Sequence, residues 1–356
     1  MLDWIAALVG VFTITTTLLP FSRTAHWWIR IWDFPRIQLA AIGVGALVLH
    51  LSSDGRLPAL NHLLTVVLVA CVALHLARIF PYTILASKES ADATPDAPEQ
   101  NKLHLVLSNV LMSNRDFSRT VEMLRRQDPD VFLVVETDQA WLDALSDTLG
   151  DDYPHTVLVP QDNTYGMGLF SRFPLHGAEI LFLTETDVPS IATDIELPCG
   201  HEITCRFLHP RPPRFQQDTT NRDAELLTVG KELADHTSPC LVAGDLNDVA
   251  WSHTTRLFRR TSHLLDPRIG RGLFSTFSAR SSLVRFPLDH LFHSQHLTLD
   301  RIERLPPTGS DHFPIAIKLC LESSAPARQE VPTEEGDDLE EVAEKISPAV
   351  GRGGAP

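Results

Sequence analysis

Two short motifs combine an acidic residue with an amide or an imidazole beside an apolar run. Gly244-Asp245-Leu246-Asn247 follows the run 239–243, and Ser310-Asp311-His312-Phe313-Pro314 precedes the run 315–319. Such runs are typical of buried strands, so both motifs are expected at strand ends. Carboxylates hold a hydrated divalent cation and activate water, while an amide and an imidazole meet the charge that grows on phosphate oxygen. Together the motifs predict metal-assisted hydrolysis of a phosphodiester.

Four further motifs place polar side chains beside predicted strands. These are Leu107-Ser108-Asn109-Val110, Val134-Val135-Glu136-Thr137, Leu208-His209-Pro210 and Pro287-Leu288-Asp289-His290-Leu291-Phe292. A layered fold gathers the side chains at its strand ends into one cleft, so we expect these motifs to meet there. Glu136 ends an apolar run, where an unpaired buried carboxylate would cost too much free energy, and this favours a metal or a basic partner.

The elements that position these motifs are short and regular. Strand-like runs lie at 103–107, 131–135, 155–159, 166–171, 178–183, 190–197, 202–208, 239–243, 286–292, 299–304 and 313–320, and helical runs at 117–127, 140–149 and 218–235. Two strand–helix units, each followed by further strands, predict two sheets packed face to face with helices outside them.

The six motifs in this order resemble the endonuclease/exonuclease/phosphatase superfamily, which includes deoxyribonuclease I, exonuclease III, neutral sphingomyelinases and inositol-phosphate phosphatases. The resemblance covers about residues 101–321 and none of the rest of the chain. It implies an α/β fold, a four-layered α/β/β/α sandwich of the deoxyribonuclease I type. It also implies hydrolysis of phosphoesters with Mg²⁺, for which Mn²⁺ is a possible substitute.

The resemblance also implies a role for each motif residue. Glu136 matches the principal metal ligand, and Asn109 and Asp311 match positions that complete the metal shell. Asp245 matches the residue that orients or deprotonates the attacking water. The remaining catalytic positions are Asn247 and His209 as donors to the phosphate, His312 as the histidine that binds the scissile phosphate, and Asp289 as the acid that fixes the tautomer of that histidine.

The charge balance bears on the substrate. Residues 88–323 carry 22 basic and 34 acidic residues, which argues against tight, sequence-blind binding of long duplex nucleic acid. The candidate basic loop is short, and its prolines stiffen it so that Arg211 and Arg214 can hold a substrate phosphate. Nucleic acid and a membrane-proximal phospholipid or inositol phosphate both remain open as substrates.

The first 87 residues contain three apolar runs, 4–20, 37–51 and 60–77, which predict a membrane domain with three transmembrane helices. A cleavable signal peptide is disfavoured, because a basic start and a small-residue cleavage site are both missing. Arg23, Arg30 and Arg36 in the first connection predict that this connection and the region after residue 78 lie in the cytoplasm. We expect a protein of the bacterial inner membrane with the lipid bilayer as a partner.

Composition divides the rest of the chain. The polar, proline-containing stretch 88–100 predicts a linker, and residues 101–323 are expected to form the catalytic domain. Residues 324–356 are expected to be a disordered acidic tail, in which 334–346 can form a transient acidic helix. The five cysteines form no Cys-x-x-Cys pair and are expected to be reduced and buried. No protein partner is evident from the sequence.

Two classes of function follow. The first is a membrane-anchored, Mg²⁺-dependent hydrolase of phosphoester bonds, of the nuclease or phosphatase type. The second is a membrane scaffold that keeps the fold without catalysis, and it is disfavoured because all eight expected positions are filled.

Overall fold

The computed structural model describes residues 2–52, 58–213 and 217–350. Within them lie eleven strands: β1 (Lys102–Asn109), β2 (Val131–Val135), β3 (His155–Val159), β4 (Met167–Ser171), β5 (Leu175–Leu181), β6 (Ser190–Glu196), β7 (Glu202–Leu208), β8 (Cys240–Asp245), β9 (Asp289–His293), β10 (Leu297–Arg304) and β11 (Ile315–Leu321). They form a six-stranded sheet of order β10-β11-β1-β2-β4-β3 and a five-stranded sheet of order β5-β6-β7-β8-β9.

Nine α-helices accompany the strands in the described part of the chain. They are α1 (Leu2–Leu18), α2 (Trp27–Arg30), α3 (Arg36–Leu51), α4 (Pro58–Ile79), α5 (Phe117–Gln127), α6 (Gln139–Leu149), α7 (Thr220–Leu233), α8 (His253–Ser262) and α9 (Asp338–Val350). The four helices α5 to α8 belong to the sandwich, α1 to α4 precede it, and α9 follows it.

The two sheets pack face to face and bury one apolar core between them. Leu105 and Leu133 of the first sheet meet Phe207 and Leu241 of the second in this core. A second core lies between the first sheet and α5 and α6, and a third between the second sheet and α7 and α8. These cores separate four layers, so the predicted α/β/β/α sandwich is confirmed.

Strand direction brings the predicted site residues to one edge of the sandwich. β1 and β2 run parallel and end together, with Asn109 opposite Val135, and β7 and β8 likewise end together. β9 and β11 run antiparallel to their neighbours and therefore begin at the same edge, where Asp245 pairs with Asp289. The edge thus collects residues that are far apart in the sequence.

The helices before the sandwich are long and apolar. Two spans, Trp4–Ser22 and His62–Tyr82, are long and apolar enough to cross a membrane, and the bent pair Trp27–Asp33 and Arg36–Leu51 raises the number to three if it counts as one span. The three predicted transmembrane helices therefore correspond to α1, α3 and α4. α3 reaches the length of a span only when the bent segment Trp27–Asp33 is counted with it.

Residues 88–100, which were predicted to be a linker, lie against the sandwich. The Glu89 carboxylate forms an ion pair with Arg259, and Ser90 Oγ lies 2.7 Å from His293 Nε2. The backbone N–H of Ala93 donates to the Leu299 carbonyl at 2.8 Å. Polar composition predicted a linker here, but Glu89, Ser90 and the backbone of Ala93 have partners on α8, β9 and β10.

The acidic tail also differs from the prediction of disorder. Its residues 338–350 form α9, which packs on α7 and α8 and buries Val342. The Asp338 carboxylate accepts two hydrogen bonds from Arg260, at 2.6 and 2.7 Å, and Glu341 lies 2.7 Å from His253. Basic groups on α8 thus order a segment that is hydrophilic by itself.

Candidate active site

Two of the site residues have backbone conformations that non-glycine residues seldom adopt. Glu136, directly after β2, has φ of 61°, and Asn247, two residues after β8, has φ of 51°. Such left-handed conformations cluster at functional sites, because the surrounding structure must hold them. At Gly244, with φ of 157°, an added Cβ would lie 1.8 Å from the Leu208 carbonyl oxygen, so the motif requires glycine.

Asn109 links the carboxylates of the two sheets. It is buried at the end of β1, and its Nδ2 donates to Glu136 Oε1 at 2.9 Å and to Asp245 Oδ2 at 3.0 Å. Its Oδ1 accepts from the backbone N–H of Leu111 at 3.0 Å, which fixes the orientation of the amide. Asn109 therefore holds both carboxylates at one point between the sheets.

A histidine between two carboxylates forms the other half of the site. His312 Nδ1 lies 2.8 Å from Asp289 Oδ2, and His312 Nε2 lies 3.6 Å from Asp245 Oδ2. Burial lowers the pKa of His312, but the Asp289 and Asp245 carboxylates outweigh it and raise that pKa to about 10. The side chain is therefore an imidazolium at neutral pH, with Nδ1–H donating to Asp289.

The charged state of His312 predicts a pH dependence of stability. Its ordinary pKa in an unfolded chain is about 6.5, and the folded value is about 10. The stabilisation is therefore fully present below about pH 6.5 and is lost as the pH rises through the folded pKa. We expect the difference in Tm between the wild-type chain and His312→Gln, measured in neutral detergent, to shrink between pH 6.5 and 10.5. A difference that stays constant over this range would contradict the assignment.

His209 and Asn247 complete the group around Asp245. His209 Nε2 lies 4.0 Å from Asp245 Oδ2, and its ring is 5.5 Å from that of Tyr165. The backbone N–H of Asn247 donates to Asp245 Oδ1 at 3.1 Å, and its Nδ2 donates to the Pro210 carbonyl at 2.9 Å. The NH₂ group of Asn247 carries two donor hydrogens, and the contact with Pro210 uses only one of them.

Two groups of residues here are candidates for a metal site. Asp245, Asp289 and His312 have ligand atoms within 4.8 Å of one another. A protonated imidazole is no metal ligand, however, and His312 already binds Asp289, so this group is better described as a hydrogen-bonded relay. Around Glu136, burial raises the pKa of the carboxyl group, and the Asp245 and Asp311 carboxylates raise it further. Asn109 bonds to the carboxylates of both Glu136 and Asp245, and carboxylates that meet in this way fit a hard divalent cation.

The two arginines predicted to bind phosphate have separate outcomes. Arg211 stacks on the Tyr165 ring at 4.4 Å, donates to Glu185 at 2.9 Å and forms an ion pair with Asp187. Its guanidinium is therefore already engaged with protein groups. Arg214 lies outside the described residues.

The structure adds contacts around the site that the sequence did not reveal. The Phe277 ring packs 5.1 Å from the His312 ring, and Thr276 Oγ1 accepts from the backbone N–H of Asp289 at 3.2 Å. Arg222 is buried and donates to the Asn247 carbonyl at 2.8 Å, which supports the left-handed turn from below. Phe277 and Thr276 lie between elements and carry no motif, so no sequence signal marks them.

Comparison with known proteins supplies a family and a fold. The model of the Endonuclease/Exonuclease/phosphatase family matches residues 106–312. Two UPF0294 proteins of Vibrio cholerae are each 30% identical over 122 residues, which make up 34% of this chain and 41% of each relative. The match thus spans less than half of the length of these curated relatives.

Solved structures align over the sandwich. An endonuclease/exonuclease/phosphatase from Beutenbergia cavernae aligns with a TM-score of 0.53 at 17% identity, covering 62% of this chain and 72% of that chain. D. rerio TDP2 complexed with a single-strand DNA product aligns with a TM-score of 0.51 at 16% identity, covering 61% and 98%. At these identities the alignments show a shared fold.

Proposed function

Because this chain belongs to the endonuclease/exonuclease/phosphatase family, we propose that it is a membrane-anchored, divalent-metal-dependent phosphoesterase. Its reaction is hydrolysis of a phosphodiester by in-line attack of a water molecule that Asp245 aligns. The observation that carries this proposal is the meeting of Asn109, Glu136, Asp245 and His312 at one edge of the sandwich, within hydrogen-bonding or ion-pairing distance.

The cation would be held by Glu136 and Asp311. Asn109, which was expected to complete the shell, turns its NH₂ toward Glu136 and Asp245 and its Oδ1 toward the Leu111 N–H, so its role is to position the two carboxylates. Mg²⁺ is the expected ion, since it prefers carboxylate and amide oxygens and keeps several waters. When bound, it polarises a phosphoryl oxygen and neutralises part of its charge. Asn109 meanwhile keeps Glu136 in place through the 2.9 Å hydrogen bond to its carboxylate.

The remaining residues handle protons and phosphate charge. Burial raises the pKa of Asp245, which makes this carboxylate a stronger base for the proton of the attacking water. His312, as an imidazolium fixed by Asp289, donates from Nε2 to a phosphate oxygen that gains charge in the transition state. Asn247 and His209 face the same carboxylate and are placed to donate to the other oxygens.

The anchor is the helical part before residue 87. The spans Trp4–Ser22 and His62–Tyr82 have the length and apolar composition of bilayer-crossing helices. Arg23 and Arg30 lie between α1 and α3, and Arg36 begins α3. Arg23 contacts Glu341 of α9 and Arg30 contacts Thr254 of α8, so this side of the helices faces the sandwich, and the positive-inside rule assigns it to the cytoplasm. We therefore propose an inner-membrane protein with a cytoplasmic catalytic domain.

A specific set of contacts favours a membrane-proximal substrate over nucleic acid. Tyr82, at the end of the last span, donates its hydroxyl to the Ala250 carbonyl at 2.8 Å, and Trp251 Nε1 donates to the Asp33 carbonyl at 2.7 Å. Ala250 and Trp251 lie only a few residues after Asn247. The edge of the sandwich that collects the site residues, which we call the catalytic edge, is thus the end that adjoins the helices.

The segment 277–286, a hairpin closed by the pairing of Phe277 with Phe286, lies beside His312 at the same end. Phe286 packs edge-on against Phe34 with ring centroids 5.7 Å apart, and the Leu283 carbonyl accepts from Gln38 Nε2 at 2.6 Å. Gln38 lies in the first turn of α3, while Phe277 of the same hairpin touches the His312 ring. These contacts support a phosphoester at headgroup level, such as a phospholipid or an inositol phosphate, as the substrate.

A parallel assay on the full-length chain in neutral detergent tests the proposal. With Mg²⁺, we expect hydrolysis of bis(p-nitrophenyl) phosphate, and release of headgroup phosphate from phospholipid vesicles faster than nicking of supercoiled plasmid. Nicking without headgroup release would reverse the choice of substrate and leave the reaction class intact. If no phosphoester is hydrolysed with Mg²⁺ or Mn²⁺, the proposed function is wrong.

A further inference from the structure

A polar cavity that no proposed catalytic residue lines lies where the helical part meets α8. It has a volume of about 330 Å³, within the range of small-molecule sites, and five arginines line it: Arg23, Arg36, Arg78, Arg256 and Arg260. Arg36 begins α3, Arg78 lies in the last turn of α4, and Arg256 and Arg260 lie on α8. We call this cavity the arginine cavity.

Three of the five guanidiniums have a carboxylate partner. Arg23 pairs with Glu341 at 3.0 Å, Arg36 donates to Asp33 at 2.6 Å, and Arg260 makes the bidentate pair with Asp338. Among the described residues, Arg78 makes no hydrogen bond or ion pair, and the Arg256 side chain has a single long contact, from Nε to the Ser252 carbonyl at 3.3 Å. The cavity therefore has a surplus of cationic donors.

Other features of the lining add to this surplus. Asp33 is already shared, because Arg30 also pairs with it at 3.1 Å, and the Nε of Arg36 is buried without a hydrogen-bond partner among the described residues. Glu335 and Asp337 also line the cavity but are exposed to solvent, where screening weakens their effect on buried charges. Asp33 therefore acts on Arg78 and Arg256 as well as on Arg30 and Arg36, and neither Arg78 nor Arg256 forms an ion pair among the described residues.

The charged form of Arg256 is disfavoured in the cavity. Burial lowers the pKa of Arg256 to about 10, the guanidiniums of Arg78 and Arg260 contribute to the lowering, and Asp33 partly opposes it. An arginine normally keeps a pKa above about 12. Cationic groups that repel one another in a partly buried cavity are stabilised by a bound anion, and planar guanidiniums match the oxygens of a phosphate group bidentately.

The position of the cavity along the helices identifies the source of such an anion. Pro20 after α1, Arg36 at the start of α3 and Arg78 at the end of α4 all lie at the end of the helices that faces the sandwich. In a chain anchored as proposed above, this end lies at the level of the lipid headgroups. Basic pockets between helices on the cytoplasmic side are suited to anionic headgroups.

We propose that the arginine cavity binds the phosphate group of an anionic membrane lipid, at a site separate from the catalytic edge. Arg78 and Arg256 contact the phosphate directly, and Arg36 contributes its buried Nε. The bound lipid joins the helical part to α8 and so fixes the height of the catalytic edge above the bilayer. This inference rests on the anchoring part of the proposed function and is independent of catalysis.

Lipid titration of the purified full-length chain tests the inference. In neutral detergent, native mass spectrometry with phosphatidylglycerol is expected to give a Kd at least about tenfold lower than with a glycosyl diacylglycerol, which has no phosphate. The double variant R78Q/R256Q is expected to lose that preference. R119Q/R126Q on α5 removes the same charge from exposed positions and is expected to keep it.

Two further measurements keep the result interpretable. R78K/R256K retains the charge without the planar fork and is expected to bind with intermediate affinity. Without lipid, R78Q/R256Q is expected to have a Tm equal to or above that of the wild type, because it removes repulsion between guanidiniums and breaks no ion pair. A Tm clearly below that of the wild type would therefore identify a misfolded variant.

The outcomes separate the possible ligands. If inorganic phosphate competes at millimolar concentration as well as the lipid does, the cavity is a site for a soluble anion and the lipid assignment is wrong. If R119Q/R126Q weakens lipid binding as much as R78Q/R256Q does, general electrostatics explains the binding and the cavity has no role. Alkaline extraction of membranes tests the anchor separately, so its failure is distinguishable from failure of the cavity.

Discussion

Replacing Asp245 by alanine is expected to lower kcat for phosphodiester hydrolysis by about a thousandfold or more. General-base assistance contributes roughly a factor of 10²–10⁴, and Asp245 also orients the water and its neighbours. Its Oδ2 is the atom that Asn109 approaches at 3.0 Å, His312 at 3.6 Å and His209 at 4.0 Å. The measurement is steady-state hydrolysis of a chromogenic phosphodiester at saturating Mg²⁺.

The fold should survive this change. Burial raises the pKa of Asp245 and the Asp289 carboxylate raises it further, so removing this buried charge offsets part of the loss of its contacts with His312 and Asn109. We expect the Tm of Asp245→Ala to stay within a few degrees of that of the wild type. Asp235→Asn, at an exposed turn after α7, is the matched control and should retain full activity. Activity of Asp245→Ala within a few-fold of the wild type would remove Asp245 from the mechanism.

Removal of the metal is expected to have the second large effect. Chelation with excess EDTA should abolish hydrolysis, and Mg²⁺ or Mn²⁺ should restore it. Lewis-acid stabilisation is worth several kcal/mol, and about 1.4 kcal/mol corresponds to a factor of ten in rate. Glu136→Gln keeps the shape of the side chain but removes its charge, so we expect at least about a hundredfold loss of kcat/KM that higher Mg²⁺ recovers in part.

A nearby carboxylate provides the control for Glu136. Asp138 caps α6 through a 3.0 Å hydrogen bond from the backbone N–H of Trp141 and forms an ion pair with Arg115. Asparagine is an equally good capping residue, so Asp138→Asn should preserve both fold and activity. Equal Mg²⁺ dependence in the wild type and Glu136→Gln would show that the ion binds elsewhere, and the Asp245, Asp289 and His312 group would then be the next candidate.

The catalytic edge is attached to the last span by an apolar cluster. Tyr82, Val249, Ala250, Trp251 and Leu288 form one apolar cluster between the last span and the loops that carry Asn247 and Asp289. A rigid connection of this kind keeps the site at a fixed distance from the helices, whereas a flexible linker would let the domain sample a wide volume. The contacts of Glu89 and Ser90 extend the same attachment to β9 and α8.

Much of the fold follows from local sequence patterns. Apolar runs of strand length predicted β1, β2, β8 and β11 close to their observed bounds, because burial on both faces leaves little choice of residue type. β7 was predicted from a run that alternates, and only one of its faces is fully buried. α8 was not predicted, since Leu257 and Phe258 are the only apolar residues among its arginines, threonines and serines. Its buried arginine Arg259 has its partner, Glu89, far away in the sequence.

By itself, the sequence determined the layered fold and the candidate residues, because strand-end motifs and buried runs are encoded by neighbouring positions. Only the tertiary structure decided how these residues are connected: Asn109 between Glu136 and Asp245, the left-handed backbone at Glu136 and Asn247, and the docking of α9. It alone brought Arg36, Arg78 and Arg256 to one cavity. These features depend on contacts between residues from distant parts of the chain, and a local sequence pattern does not encode the energy of such contacts.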